Sequence, residues 1–194
     1  ALPGGDRAAS EPWRMAAAVL HRLGRNKEIV ERYAAQQAAP AVAQMLAGNV
    51  NCPPTSSMGR IFDAAAGLLG IKAVMAYEGQ AAMLLEGMAQ RYGDVLPLDL
   101  GWKISQGRLD LLPLLAVLAD EKNPERGAAL FHATLIAALA DWLRTLVPDE
   151  EAVVGSGGCF LNQVLVSGLR TRLSAQGMRL IEARQVPPND GGLS

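Results

Sequence analysis

Val153-Val154-Gly155-Ser156-Gly157-Gly158-Cys159-Phe160-Leu161-Asn162 carries an apolar segment into a run of glycines and out again into a helical pattern. Residues 151–155 read as a strand, 161–174 as a helix and 178–183 as a second strand. That is one β-α-β unit, the setting in which phosphate-binding loops commonly occur. Glycines let the backbone approach a ligand closely and turn its N–H groups toward it. A helix N-terminus behind them favours an anion. Asn162, in the first turn, places an amide within reach of the same ligand. The pattern is neither a Walker loop, since no Gly-Lys-Ser/Thr follows, nor GxGxxG, since Phe160 stands where the third glycine belongs, nor GxSxG. A plain strand-to-helix turn accounts for the residues as well.

Working back toward the N-terminus, the pattern is helical. Pro12 opens a helix to about Leu23, with Ser10 as its expected cap and Gly24 as its stop. Residues 27–47 form a second helical stretch, expected to break near Pro40, and residues 1–10 read as loop. Ser56 and Ser57 offer cap oxygens for a helix through Leu69, closed by Gly70. Residues 80–92 are helical, 102–112 suggest two short strands around Gly107, and 113–122 return to helix. Pro124 opens a long apolar helix to about Val147, ended by Pro148. The domain expectation is a helical stretch over 1–100 and an α/β stretch over 101–194.

Half of the 194 residues are hydrophobic and only 5% are aromatic, a bias that favours helices. The net charge is −1 with acids and bases mixed, so no basic stripe points to nucleic acid. The apolar stretch 128–140 reads as too short to cross a bilayer. Cys52 and Cys159 lie in no CxxC pair, which points to a reduced, cytoplasmic setting. Cys159 reads as a small buried packing residue, and His21 and His132 as structural residues on their helices.

In Thr55-Ser56-Ser57-Met58-Gly59-Arg60-Ile61-Phe62-Asp63, helical spacing puts Gly59, Asp63 and Gly67 on one face. An ionised carboxylate on such a stripe accepts hydrogen bonds only, and suits vicinal hydroxyls such as those of ribose from a ligand lying flat on the helix. Tight helix packing with a salt-bridged Asp63 is the competing reading. Gly79, in Tyr77-Glu78-Gly79-Gln80, either admits a ligand or simply makes a turn. Asp190, in Val186-Pro187-Pro188-Asn189-Asp190-Gly191-Gly192, has no local partners for a metal.

Taken in order, Glu11-Pro12-Trp13-Arg14-Met15-Ala16, Thr55 to Asp63, Tyr77-Glu78-Gly79-Gln80-Ala81-Ala82, Ser156 to Asn162 and Val186 to Gly192 resemble the C-terminal part of the HypF carbamoyltransferases, which mature [NiFe]-hydrogenases. The resemblance covers essentially the whole chain. It implies a helix-rich α/β fold, one lobe of an actin-like (ribonuclease-H-like) ATPase, here expected to be cut at both ends. It implies an enzyme that makes carbamoyl-adenylate from ATP and carbamoyl phosphate and passes the carbamoyl group to the C-terminal cysteine of its partner HypE, for the hydrogenase cyanide ligand. It assigns Asp63 to the nucleotide ribose, Gly79 to the nucleoside pocket, Gly157 and Gly158 to the neighbourhood of the nucleotide, and Asn162 to a hydrogen bond with it. Asp190 would ligate a divalent metal whose histidine ligands belong to an upstream segment of the family. His21 and His132 lie in unrelated contexts, so this chain alone is expected to be inactive and to bind ATP weakly or not at all. A threonylcarbamoyl or small-molecule carbamoyl transferase of the same fold, or a non-catalytic lobe, remain alternatives.

Overall fold

The computed structural model describes residues 1–147 and 152–183. The chain divides into two compact units, each assembled from two stretches of sequence. The first comprises Ala1–Leu85 and Leu115–Ala128, the second Glu86–Leu114 and Ala129–Ser194.

Helices build the first unit: α1 (Arg7–Ser10), α2 (Pro12–Arg22), α3 (Asn26–Arg32), α4 (Ala39–Gly48) and α5 (Met58–Leu68), with α6 (Gln80–Tyr92) starting in it. Pro12 sits in the first turn of α2, where its missing N–H costs nothing. Ser10 does not cap that helix. It belongs to the short α1, within the residues read as loop, and its hydroxyl donates to the Arg7 carbonyl at 3.2 Å. Pro40 likewise begins α4 instead of breaking it, and the interruption falls earlier, between Arg32 and Ala39. A proline is tolerated at a helix start for the same reason that it breaks a helix interior.

The principal contact in this unit is α2 against α5. Ala16 and Gly67 meet there, and Ala17, Ala64, Ala65 and Ala66, with Trp13, Leu20 and Phe62, are buried on the same two helices. At the crossing, a Cβ on Gly67 would lie 2.5 Å from the Pro12 carbonyl oxygen and 2.9 Å from the Ala16 Cβ. The Tyr33 hydroxyl donates to the Gly67 carbonyl at 3.1 Å. Arg14 lies over the Trp13 ring, 5.0 Å from its centroid, and donates from Nε to Glu11. The segment 115–128 returns to this unit, where Arg25 bridges Glu28 and Asp120 and Arg32 donates to the Ala119 carbonyl.

All four described strands belong to the second unit. β1 (Lys103–Ser105) and β2 (Arg108–Asp110) form an antiparallel hairpin turned by Gln106 and Gly107, both at positive φ, as a two-residue hairpin turn requires. Between α7 (Leu112–Asp120) and the second sheet runs α8 (Pro124–Leu146). At 23 residues α8 is longer than the apolar stretch read from the sequence, and by length and composition it could cross a bilayer. Phe131, Leu135, Ala137 and Ala138 on it are fully buried, so it is used as a core helix.

β3 (Ala152–Gly155), α9 (Gln163–Ala175) and β4 (Arg179–Glu182) make the β-α-β unit. β3 and β4 pair in parallel, from Ala152 with Arg179 to Gly155 with Glu182. Leu169, Leu173, Met178 and Ala140 form its core, with Val153, Phe160 and Leu180 packed against them. The fold class is thus helix-rich α/β.

Candidate functional site

The candidate residues are divided between the units: Asp63 and Gly79 belong to the first, and Gly157, Gly158 and Asn162 to the second. Asp190 lies outside the described residues.

Asp63 is buried, 2% exposed, at the middle position of the Gly59–Asp63–Gly67 stripe on α5. The stripe does not present an open face along its length, because Gly67 is closed against Pro12. Space remains at the Gly59 end, where the nearest atom to an added Cβ is the Ser57 hydroxyl at 3.6 Å. A ligand lying flat along all three residues is therefore excluded. Ser57 holds the N-cap position of α5 with extended backbone but makes no side-chain cap bond, and its N–H donates to Thr55 Oγ1.

Arg60, one turn back, brings Nη1 to 2.9 Å from Asp63 Oδ2. The approach is ionic contact without hydrogen-bond alignment, so both Arg60 Nη1 and Asp63 Oδ2 remain buried without an aligned partner. Burial pushes the Asp63 carboxyl up to about 6, and the Arg60 guanidinium pulls only partly the other way. Buried polar atoms in native proteins are nearly always satisfied, so an unsatisfied carboxylate oxygen calls for a donor.

Gly79 is at φ +78 with nothing within 4 Å of an added Cβ, directly before α6. Its neighbours close the turn locally: Gln80 Oε1 accepts from the Ala76 N–H at 2.8 Å, and the Ala81 N–H lies 3.4 Å from Met75 Sδ.

In the second unit the strand does not run straight into α9. A 3-10 turn, Gly158–Leu161, intervenes, and α9 starts at Gln163. The N-terminus of α9 is already engaged. Asn162, its N-cap, accepts from the Leu165 N–H through Oδ1 at 2.8 Å, and the Gln163 N–H donates to Glu86 at 2.7 Å. The helix end expected to face an anion is thus occupied by a side-chain carboxylate. What the loop offers instead is exposed backbone.

Gly157 has φ +100 and ψ 163, a combination that only glycine adopts without strain, and among the described residues no atom lies within 4 Å of an added Cβ there or at Gly158. The Phe160 ring folds back onto Gly155, which explains the aromatic residue in place of a third glycine. Gly157→Ala is expected to cost about 1–3 kcal/mol from backbone strain alone. Gly158→Ala, with ordinary φ and open space, is expected to stay within about 1 kcal/mol of the parent. Denaturant titration of the pair checks this, and equal stability would contradict the Gly157 conformation.

Asn162 is buried, 6% exposed, and its Nδ2 lies 3.1 Å from Nε2 of His132 on α8, which is 1% exposed. The sequence places these two thirty residues apart and His132 reads there as unrelated to the site; the fold joins them. A polar residue in the apolar helix α8 is itself the signal that a buried partner exists. His21, by contrast, is half-buried at the end of α2, with Nδ1 2.7 Å from Asn26 Oδ1. Cys159 is half-buried rather than buried, and neither cysteine forms a disulfide. Among the described residues no group of three or more His, Cys, Asp or Glu could hold a metal ion.

A family model described as "Carbamoyltransferase, Kae1-like Domain, second subdomain" matches residues 1–194. The chain belongs to the HypF carbamoyltransferase family. Carbamoyltransferase HypF2 of Cupriavidus necator is 51% identical to it over 222 residues, with all of this chain aligned to 28% of that protein. Carbamoyltransferase HypF of Rhizobium leguminosarum bv. viciae is 40% identical over 197 residues, again with the whole chain aligned to 26% of the relative. A solved structure described as full-length HypF in the phosphate- and nucleotide-bound form shares the fold, with a TM-score of 0.83 and 27% identity over 100% of this chain and 26% of that one. The chain thus spans about a quarter of the length of these HypF relatives. The helix-rich α/β lobe expected from the sequence is the fold found here, and the family model describes it as Kae1-like.

Proposed function

We propose that this chain supplies nucleotide contacts to a HypF carbamoyltransferase that makes carbamoyl-adenylate from ATP and carbamoyl phosphate and carbamoylates the C-terminal cysteine of HypE in [NiFe]-hydrogenase maturation. The observation that carries the reading is Asp63: a buried carboxylate, ion-paired to Arg60 at 2.9 Å but with no aligned hydrogen-bond donor on Oδ2 among the described residues, whose bonding ribose hydroxyls would complete. Gly157 and Gly158 support it by offering uncovered backbone. Asn162 supports it because each of its amide atoms keeps capacity beyond its one protein partner, a second N–H on Nδ2 and a second lone pair on Oδ1. Gly79 supports it as an open position at the start of α6.

In this reading the HypE thiolate attacks the adenylate carbonyl, a C–S bond forms, the C–O bond to phosphate breaks, and AMP leaves with the electron pair. Binding of the ribose by Asp63 would restrict the orientations in which the carbonyl is presented. Asp190 would ligate a divalent metal, which would supply charge stabilisation for the departing phosphate. The described residues contain no set that could hold that ion, so no step performed by them depends on it. A cytoplasmic setting belongs to the same reading.

Transfer of labelled carbamoyl groups to HypE by the full-length protein tests it. Asp63→Ala and Asn162→Ala are each expected to slow transfer about ten- to a hundredfold, as loss of a hydrogen bond to a charged or buried group would. Unchanged transfer in both sinks the assignment, and carbamoyl transfer to tRNA in place of HypE would favour the related chemistry.

A further inference from the structure

We infer that His132 is a positioning residue for Asn162, held as a neutral imidazole with its proton on Nδ1, and that it fixes the pose of the loop entering α9. The inference rests on the proposed role of Asn162 at the nucleotide.

Asn162 Oδ1 accepts from the backbone N–H of Leu165 at 2.8 Å. A backbone N–H can only donate, so the oxygen side of the amide is fixed, and the NH2 must be the group that faces His132 Nε2 at 3.1 Å. An amide NH2 can only donate, so Nε2 must accept. An imidazole that accepts at Nε2 is neutral and carries its proton on Nδ1. An imidazolium would set N–H against N–H.

Both residues are more than nine-tenths buried, so neither can exchange this partner for bulk water. The ring is further fixed edge-on to Phe131, with centroids 5.4 Å apart. One residue along, the Gln163 N–H is held by Glu86 at 2.7 Å. The link between the 3-10 turn and α9 is therefore gripped from α8 by an acceptor nitrogen and from α6 by a carboxylate. Asn162 reaches a ligand only with the N–H and lone pair that these contacts leave, so the direction of those groups is set by His132.

The test compares His132→Leu, His132→Gln, Asn162→Ala and the His132→Leu/Asn162→Ala double variant in the full-length protein, by ATP titration calorimetry. Leucine removes the acceptor, and glutamine restores one at similar reach. His132→Leu is expected to weaken ATP about tenfold, with His132→Gln returning to within about threefold of the parent. The double variant is expected to bind no more weakly than Asn162→Ala alone, because the effect of His132 passes through Asn162. A purely structural histidine would give additive losses and no rescue by glutamine, and either result overturns the inference. Nitrogen NMR of the labelled protein gives a readout independent of nucleotide: Nδ1 protonated and Nε2 bare is expected, and a proton on Nε2 overturns it. If Asn162→Ala binds ATP like the parent, the nucleotide role of Asn162 falls and this inference with it. If Asn162→Ala loses ATP while His132→Leu does not, only this inference falls.

Discussion

Nucleotide affinity of the full-length protein is expected to rise between about pH 5 and 7 and then level off, and Asp63→Asn is expected to flatten that rise. The cause is the carboxyl of Asp63, which burial pushes up from the ordinary 3.8 to about 6, against the weaker opposing pull of Arg60. Only the ionised form presents both oxygens as acceptors to ribose hydroxyls. Stability moves the other way. Between 3.8 and about 6 the folded chain binds this proton more tightly than the unfolded chain does, so the Asp63 contribution to unfolding free energy falls as pH rises through that window. The full difference amounts to roughly 3 kcal/mol above the window relative to below it. Glu28, Asp120 and Glu121, held low by hydrogen bonds (Glu28 and Asp120 to Arg25, Glu121 to the Asn123 backbone), contribute with the opposite sign at lower pH. The quantity to measure is therefore the parent minus Asp63→Asn, by denaturant titration and by nucleotide titration across the range. Parallel pH profiles for the two proteins would remove Asp63 from the binding reading.

Gly67→Ala is expected to destabilise the chain by about 3 kcal/mol, at the upper end of ordinary overpacking, and to lower Tm by roughly 6–12 °C. The added carbon would stand 2.5 Å from the Pro12 carbonyl oxygen and 2.9 Å from Ala16 Cβ. The first of these is backbone, so no side chain can rotate out of the way, and α2 and α5 must separate. Separation also shifts Asp63, one turn back on α5, and nucleotide affinity is expected to fall with stability. Gly59→Ala is the control. It lies on the same face two turns earlier, meets nothing closer than 3.6 Å, and exchanges glycine for a better helix former, so it is expected to be neutral or stabilising by up to about 1 kcal/mol. A calorimetric scan of the two variants checks the contrast, and equal Tm values would refute the close crossing.

Much of the architecture was legible because it is written locally. Pro12 and Pro124 mark helix starts, Gly107 marks the hairpin, and the alternation from strand to glycine loop to helix to strand reads directly as β-α-β. Pro40 misleads because one residue type both starts and breaks helices, and only the flanking turns decide which. The four-residue α1 lacks the length to show periodicity. The candidate site was legible as residue types and illegible as environment. Nothing near Asp63 in sequence shows that Pro12 will seat on Gly67, or that the carboxylate will be buried. Nothing near Asn162 shows that His132 and Glu86 will hold the start of α9. These are long-range contacts, set by which helices pack together. The 3-10 turn at Gly158–Leu161 is equally hidden, since its residues read as glycine loop leading up to a helix start at 161.

The seam between α2 and α5 has a consequence beyond shape. Alanine and glycine surrender no rotamer entropy on burial; Ala16 and Gly67 meet in it, and Ala17, Ala64, Ala65 and Ala66 are buried on the same two helices. It therefore has few side-chain arrangements to sample once formed. Cores of leucine and methionine can absorb a perturbation by switching rotamers, whereas this seam can respond only by moving backbone. Asp63 is mounted on that seam, so heating should leave its position unchanged until the two helices come apart together.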